Sequence, residues 1–219
     1  MSFVKLRHAS IIRTVTLKSK RLLKKNLPLL IEGFAQKAKA LEKPLIVLFQ
    51  DEARFGRVQD PKRCWCPKQT RPKVKSQLVR EYLYAYGAVN PVDGTFISLC
   101  LPKADTFCME LFLQEVMQTY PDAYVVIFLD QAAWHKSKAL KVPSNIHLTH
   151  IPPYSPELNP VEMAWKIIRK GFFHNIYFNS LQAVEQRLCQ ALGHHLRHKE
   201  TFASACRFLW IINPILNAT

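Results

Sequence analysis

The chain has 219 residues, 48% of them hydrophobic and 11% aromatic, with 31 Lys and Arg against 16 Asp and Glu for a formal net charge of +15. That length and apolar content supply one sizeable core and exclude a disordered chain, and no apolar run approaches the roughly 18 residues a membrane-spanning helix needs. The basic N-terminus, Met1 to Lys25, lacks the apolar stretch and small-residue cleavage site of a signal peptide, so the expectation is a soluble, cytoplasmic protein with no membrane partner.

Residues 1–17 show no clear period and read as a loose, basic lead-in. From Lys18 to Lys43 the residues Leu22, Leu23, Leu27, Leu30, Ile31, Phe34 and Ala38 recur at helical spacing, although Pro28 and Gly33 argue against one continuous helix. After Lys43-Pro44, the run Leu45-Ile46-Val47-Leu48-Phe49 reads as a buried strand that delivers Asp51 at or near its end. Arg63 to Val74 reads as short strand and loop, with Pro67 and Pro72 breaking any helix. Tyr82–Val89 and Thr95–Leu101 are strands joined by the turn Asn90-Pro91-Val92-Asp93-Gly94, a β-hairpin.

Asp105 or Thr106 can cap a helix that carries Met109, Phe112, Leu113, Val116, Met117 and Tyr120 on one face, and Pro121 stops it. Val125 to Leu129 is a second continuous apolar strand, ending in Asp130. A short helical link over Lys136–Lys141 leads to a strand at Ile146–Ile151. A proline-stiffened loop, Pro152 to Pro160, follows, and Asn159 and Pro160 are a good cap and first residue for a helix over Val161–Phe173. Ser180 caps another helix through Leu196, and Phe202–Ile212 is a last apolar segment. This order suits an α/β fold with a mixed five-stranded sheet, an antiparallel meander plus parallel strands reached by right-handed crossovers, flanked by helices. It divides into a basic, partly helical lead-in at 1–43, a main domain at 44–200 and a tail segment at 201–219.

The positive charge is unevenly spread: residues 1–43 hold 11 basic and 2 acidic side chains, and residues 61–80 hold 7 basic and no acidic ones. Either stretch could be a solvated face, but phosphate backbones are the partner such runs most naturally neutralise. The six cysteines (Cys64, Cys66, Cys100, Cys108, Cys189, Cys206) are scattered through a chain without a secretion signal and read as free thiols. Cys64-Trp65-Cys66 lacks the second cysteine pair that a structural zinc site needs.

Against this basic background three carboxylates stand at ends of apolar strands or the start of a helix: Asp51, Asp130 and Glu162. Each alone has an ordinary reading, as a loop starter, a cap, or an acid favoured by a helix dipole. If the strands from Leu45 and Val125 are neighbours, Asp51 and Asp130 approach one another, and a helix beginning at Pro160 adds Glu162 from its first turn. Carboxylates so grouped hold magnesium or manganese, and a pair of such ions stabilises both ends of an in-line displacement at a phosphodiester.

Three phrases carry a resemblance. They are Phe49-Gln50-Asp51-Glu52-Ala53-Arg54-Phe55-Gly56, Leu129-Asp130-Gln131-Ala132-Ala133-Trp134-His135-Lys136-Ser137, and Pro152-Pro153-Tyr154-Ser155-Pro156-Glu157-Leu158-Asn159-Pro160-Val161-Glu162. Together they resemble the catalytic blocks of DDE transposases, in the branch of bacterial insertion sequences related to the Tc/mariner superfamily, over roughly Leu45 to Leu192. The resemblance implies an RNase H-like core in which Asp51, Asp130 and Glu162 are catalytic and bind two Mg2+ (or Mn2+) ions. It implies DNA as partner, both element ends and a target, cut by water and then joined through the freed 3′-hydroxyl at a TA dinucleotide. It further implies a homodimer in the active complex and a nucleoid-associated location.

Two departures matter. The second block often reads Asp-Asn in this family and here reads Asp130-Gln131, and relatives carry N-terminal helix-turn-helix modules where only about 44 residues precede the first block here. The expected partner is therefore an upstream helix-turn-helix product or a frameshift fusion. Arg54, Lys136 and Lys138, beside the motif acids, and Lys73 and Lys75, in the second basic run, are candidate DNA contacts or ordinary surface charges. His135 matches the family's Asp-x-x-x-x-His spacing and either orients a phosphate or packs a helix start. Glu52 and Glu157 take supporting or loop positions, and Trp134 and Trp165 could stack on DNA, although core packing suits their apolar positions better. Two other readings stay open: an RNase H-like nuclease or resolvase without strand transfer, and a silent DNA-binding remnant.

Overall fold

The computed structural model describes residues 3–57, 62–70, 72–75 and 77–219, with side chains described from Leu17 onward. Met1 and Ser2 of the lead-in and Arg71 of the second basic run lie outside the described residues. Among the described residues six helices, α1 (Phe3–Ala40), α2 (Thr106–Thr119), α3 (Val161–Phe172), α4 (Leu181–Arg197), α5 (Glu200–Ala205) and α6 (Leu209–Ala218), surround five strands. The strands are β1 (Leu45–Gly56), β2 (Tyr82–Val89), β3 (Phe96–Leu101), β4 (Tyr124–Leu129) and β5 (Ile146–His150), in the order β3-β2-β1-β4-β5. β1, β2 and β3 pair antiparallel, and β1, β4 and β5 pair parallel, as the order of elements predicts.

Strand periodicity divides the core in two. Val47, Phe49, Ala53 and Phe55 of β1, with Tyr124, Val126 and Phe128 of β4, face a cluster with α1, α3, α4, α5 and α6. Leu48 of β1 and Val125, Ile127 and Leu129 of β4 face a smaller cluster with α2. β4 is buried at every position, which is why its sequence is continuously apolar.

Four expectations change. Residues 3–40 form one helix, with no break at Pro28 or Gly33. A proline inside a helix costs on the order of 3 kcal/mol, but its neighbours Leu27 and Ile31 are fully buried in the main cluster, each contributing roughly 2 kcal/mol, so tertiary packing overrides the local signal. β1 does not end near Asp51 but runs to Gly56, because its antiparallel pairing with β2 continues from Phe49 to Gly56 after its parallel pairing with β4 stops at Phe49. Among the described residues between Arg57 and Glu81 there is no strand, since prolines withdraw donors from any ladder there. The crossover from β4 to β5 holds one 3-10 turn at Ala133–Lys136 in place of the helical link expected at 136–141.

The last twenty residues are firmly attached. Phe202, Cys206, Ile211 and Ile215 are buried in the main cluster, and the hairpin turn fixes α5: Gly94, at φ +75°, stands so close to it that a Cβ would lie 2.4 Å from Ala203 N. Among the described residues no helix is long and apolar enough to cross a membrane.

Candidate active site

Asp51, Asp130 and Glu162 line one cavity of about 500 Å3, together with Gln131, Lys136, Asn159 and the loop from Ile151 to Pro156. Asp51 comes from the middle of β1, just beyond its last β4 partner; Asp130 directly follows β4; Glu162 is the second residue of α3. α3 is started as its sequence predicts, one residue later: Asn159 Oδ1 accepts from Val161 N at 3.2 Å, and Asn159 Nδ2 donates to Gln50 O at 2.8 Å. Asn159 is thus the bolt that fastens the α3 entrance to β1 beside Asp51.

Asp51 sits opposite Gly87 of β2. The missing side chain there is filled by the indole of Trp165, since a Cβ on Gly87 would lie 2.6 Å from Trp165 Cη2 and from Phe96 Cζ. Trp165 is 1% exposed, and its Nε1 donates to Asp51 Oδ2 at 3.1 Å. Burial, followed by the neighbouring charges of Glu52, Glu162 and Asp130, raises the Asp51 carboxyl from 3.8 to about 8, against the opposing Trp165 hydrogen bond.

Asp130 is treated in the opposite way. Its Oδ1 accepts from Ala132 N at 2.8 Å and from His135 Nδ1 at 2.9 Å, and the His135 hydrogen bond, outweighing partial burial, holds this carboxyl below its ordinary value. The other ring nitrogen, Nε2, lies 2.9 Å from Glu52 Oε1. Only the imidazolium can donate to both oxygens. Burial opposes its charge, but the bonds to Asp130 and Glu52 prevail and raise His135 to about 9. Glu52 Oε1 also accepts from Gln50 Nε2 at 3.0 Å and Trp134 Nε1 at 3.4 Å. The site therefore holds one carboxyl poised to keep its proton beside one fixed as a carboxylate, the separation that marks functional carboxylate pairs.

The loop after β4 is tied down by Gln131, whose Nε2 donates to Ile151 O at 3.0 Å and whose Oε1 accepts from Lys136 Nζ at 2.7 Å. The Asp130-Gln131 departure thus keeps both functions of an amide. Lys136 is at the cavity wall. Lys138 is exposed outside the lining; Arg54 is exposed and stacks on Tyr82, 4.7 Å from the ring centre; Lys73 and Lys75 are exposed in the β1–β2 connection, with Lys75 5.9 Å from the Tyr177 ring centre. Glu157 pairs with Lys20 of α1 at 2.6 Å. Cys64 and Cys66 are free thiols.

Sequence reasoning favoured a core position for Trp165 without pairing it with Asp51, and gave Gly87 no role. The three-residue step from Glu162 to Trp165, one helical turn, was the available signal. Among the described residues no group of three His, Cys, Asp or Glu side chains is placed so that it could hold a metal ion by itself. An open arrangement suits magnesium, which keeps several waters and takes one or two carboxylates plus substrate phosphates, and the crowding that lifts Asp51 is the electrostatic deficit that a cation relieves.

Residues 46–185 match the DDE superfamily endonuclease family. An uncharacterised protein of Sinorhizobium fredii, y4pE/y4sA, is 41% identical over 111 residues, 50% of this chain and 82% of that protein. Among solved structures, the mariner Mos1 paired-end complex with Mg aligns at a TM-score of 0.54 and 14% identity over 91% of this chain and 60% of that one. The complex with Mn aligns at 0.54 and 12% over 90% and 62%. The Mos1 catalytic domain alone aligns at 0.50 and 11% over 90% and 93%. At these identities the likeness is one of fold, the RNase H-like arrangement of a mixed sheet with helices, and the chain covers about three-fifths of the longer transposase chains.

Proposed function

The chain belongs to the DDE superfamily of endonucleases, and from that premise we propose that it is the catalytic domain of an insertion-sequence transposase, cutting DNA at element ends and joining them to target DNA. The observation that carries this reading is the meeting of Asp51, Asp130 and Glu162, from three separate elements, on the wall of one cavity with Lys136 beside them. Asp51, Asp130 and Glu162 would hold Mg2+ or Mn2+, two ions in this reading, which when bound stabilise charge on the attacking and leaving oxygens. Trp165 orients Asp51, while the His135–Glu52 pair orients Asp130 and keeps one of its oxygens engaged. Lys136, with Arg54, Lys138, Lys73 and Lys75 farther out, would contact backbone phosphates.

The test is cleavage of terminal-repeat DNA in Mg2+ with a helix-turn-helix-bearing upstream product supplied. Wild-type chain should give nicked and joined products, and Asp51→Asn or Glu162→Gln should give neither while remaining folded. Normal cutting by either variant would show that the site has been misassigned; cutting without joined products would favour a nuclease or resolvase.

A further inference from the structure

The loop between β5 and α3 has an attachment that the chemistry above does not use. Glu157 lies in its turn Pro156–Leu158 and is not part of the cavity lining, but its Oε1 meets Lys20 Nζ of α1 at 2.6 Å. The Lys20 side chain is 18% exposed, well covered for a lysine, and that of Glu157 is 55% exposed. Burial opposes the charge on Glu157, but the Lys20 hydrogen bond and the charges of Lys20 and Lys24 hold its carboxyl below the ordinary value.

Lys20 ends the stripe by which α1 seats on the fold. Leu27, Ile31 and Ala38 are buried in the main cluster, Leu23 and Phe34 pack against it, and Lys24 Nζ lies 5.2 Å from the centre of the Trp210 ring of α6. Lys20 continues that stripe at helical steps of three and four residues. Lys18, Arg21 and Lys25, off the stripe, are exposed.

What lies between Glu157 and Glu162 is stiff. Leu158 N donates to Ser155 O at 3.0 Å, Asn159 N to Pro156 O at 3.0 Å, Glu162 N to Asn159 O at 3.2 Å and Met163 N to Pro160 O at 2.9 Å. Pro156 and Pro160 each fix a φ angle. Two pins hold the α3 end of this run: Asn159 Nδ2 to Gln50 O at 2.8 Å, and Cys206 Sγ to Pro160 O at 3.3 Å. Being on neighbouring residues, they fix its place more than its tilt. The attachment at Glu157 supplies the lever arm.

We propose that Lys20 and Glu157 are a positioning pair that sets the tilt of Glu162 towards the cavity, so that the seating of α1 is felt at the site. The inference rests on the metal-dependent cleavage reading above. Neither residue meets the reacting atoms; both act through Glu162.

The test uses the full chain as Lys20→Met, as Glu157→Gln, and as the exchanged pair Lys20→Glu with Glu157→Lys. Mn2+ titrated into the metal-free chain, followed by the EPR signal of the free ion, reads the site without turnover. Mg2+-dependent cleavage of terminal-repeat DNA, with the upstream product supplied, reads kcat and KM. Lys20→Met removes a positive charge and Glu157→Gln a negative one, so a general electrostatic effect on cation or DNA binding moves the two variants in opposite directions. The positioning role requires the same direction. Both should lose about threefold to fivefold in Mn2+ affinity and in kcat, the upper part of the range for a partly exposed ion pair, with KM for DNA unchanged. The exchanged pair should recover both quantities.

Opposite shifts in the two single variants, a change confined to KM, or losses that the exchanged pair does not recover would overturn the proposal. So would a lower melting temperature with unchanged Mn2+ affinity, the mark of a merely structural bridge. If wild type neither binds Mn2+ nor cuts DNA, the functional reading itself falls; if wild type does both and the variants match it, only the positioning role does.

Discussion

Replacing Asp51 by Asn should stabilise the metal-free protein while destroying its activity. The folded Asp51 carboxyl keeps its proton to about pH 8, whereas an ordinary one releases it near 3.8. Between these values the folded state binds one proton more than the unfolded state. Stability from this group is therefore complete below the lower value and drains away as pH rises toward the upper one. Each pH unit in the window costs at most about 1.4 kcal/mol, so the ceiling from pH 5 to pH 8 is roughly 4 kcal/mol. Water entering the open cavity lowers this, and about 2 kcal/mol is the expected share, or ~4–8 °C in melting temperature for a chain of this size. Asn is neutral throughout, and its Oδ1 can still accept from Trp165 Nε1. Melting curves with EDTA should show the variant gaining on wild type between pH 5 and pH 8, with Mg2+ then stabilising wild type more than the variant. A gain that does not depend on pH, or a variant less stable than wild type at pH 8, would refute the reasoning.

Gly87→Ala should cost about 1–3 kcal/mol by overpacking, because the new Cβ meets the Trp165 and Phe96 rings at 2.6 Å; urea unfolding reads the loss, and unchanged indole fluorescence would show that Trp165 had not moved. Gly94→Ala combines a positive φ with a Cβ 2.5 Å from Lys199 O, a backbone atom, so a loss of roughly 2–3 kcal/mol is expected from strain and overpacking; a melting temperature equal to wild type would contradict the docking of α5 on the hairpin. Glu52→Gln keeps an acceptor for His135 but removes a negative charge, so the imidazole should titrate below about 9; ring nitrogen shifts followed by NMR check this, and an unchanged titration would exclude Glu52 as its partner.

The parts of the fold that local chemistry dictates were legible. β4 was visible as an unbroken apolar run because both of its faces are covered, and the start of α3 was visible in Asn159-Pro160 because cap and first-turn residues are chosen by backbone geometry alone. What depends on distant partners was not. Pro28 looked like a break because the burial of Leu27 and Ile31 against the rest of the fold cannot be read from the helix itself. β1 looked short because Asp51, Glu52 and Arg54 interrupt its apolar run, while the pairing with β2 that carries it to Gly56 and buries Ala53 and Phe55 comes from a distant segment. The three acids were found through their phrases, but their unequal protonation was hidden: it arises from Trp165 and His135, which approach from α3 and from the turn after β4.

Asp51 and Glu52 are sequence neighbours with opposite fates, and pleating alone separates them. Asp51 shares a face with Phe49 and Ala53 and meets Trp165; Glu52 points the other way and meets His135. Slipping β1 by one residue would place either Glu52 under the indole and Ala53 before the imidazolium, or Gln50 under the indole and Asp51 before the imidazolium, so that one of the two carboxylates is lost in each case. The strand therefore works as a reading frame for chemistry: within Leu45–Gly56 an insertion or deletion of one residue would scramble the site while a sheet could still form. By the same logic, adding one residue to the connection between Arg57 and Glu81 would leave the parity of β1 unchanged.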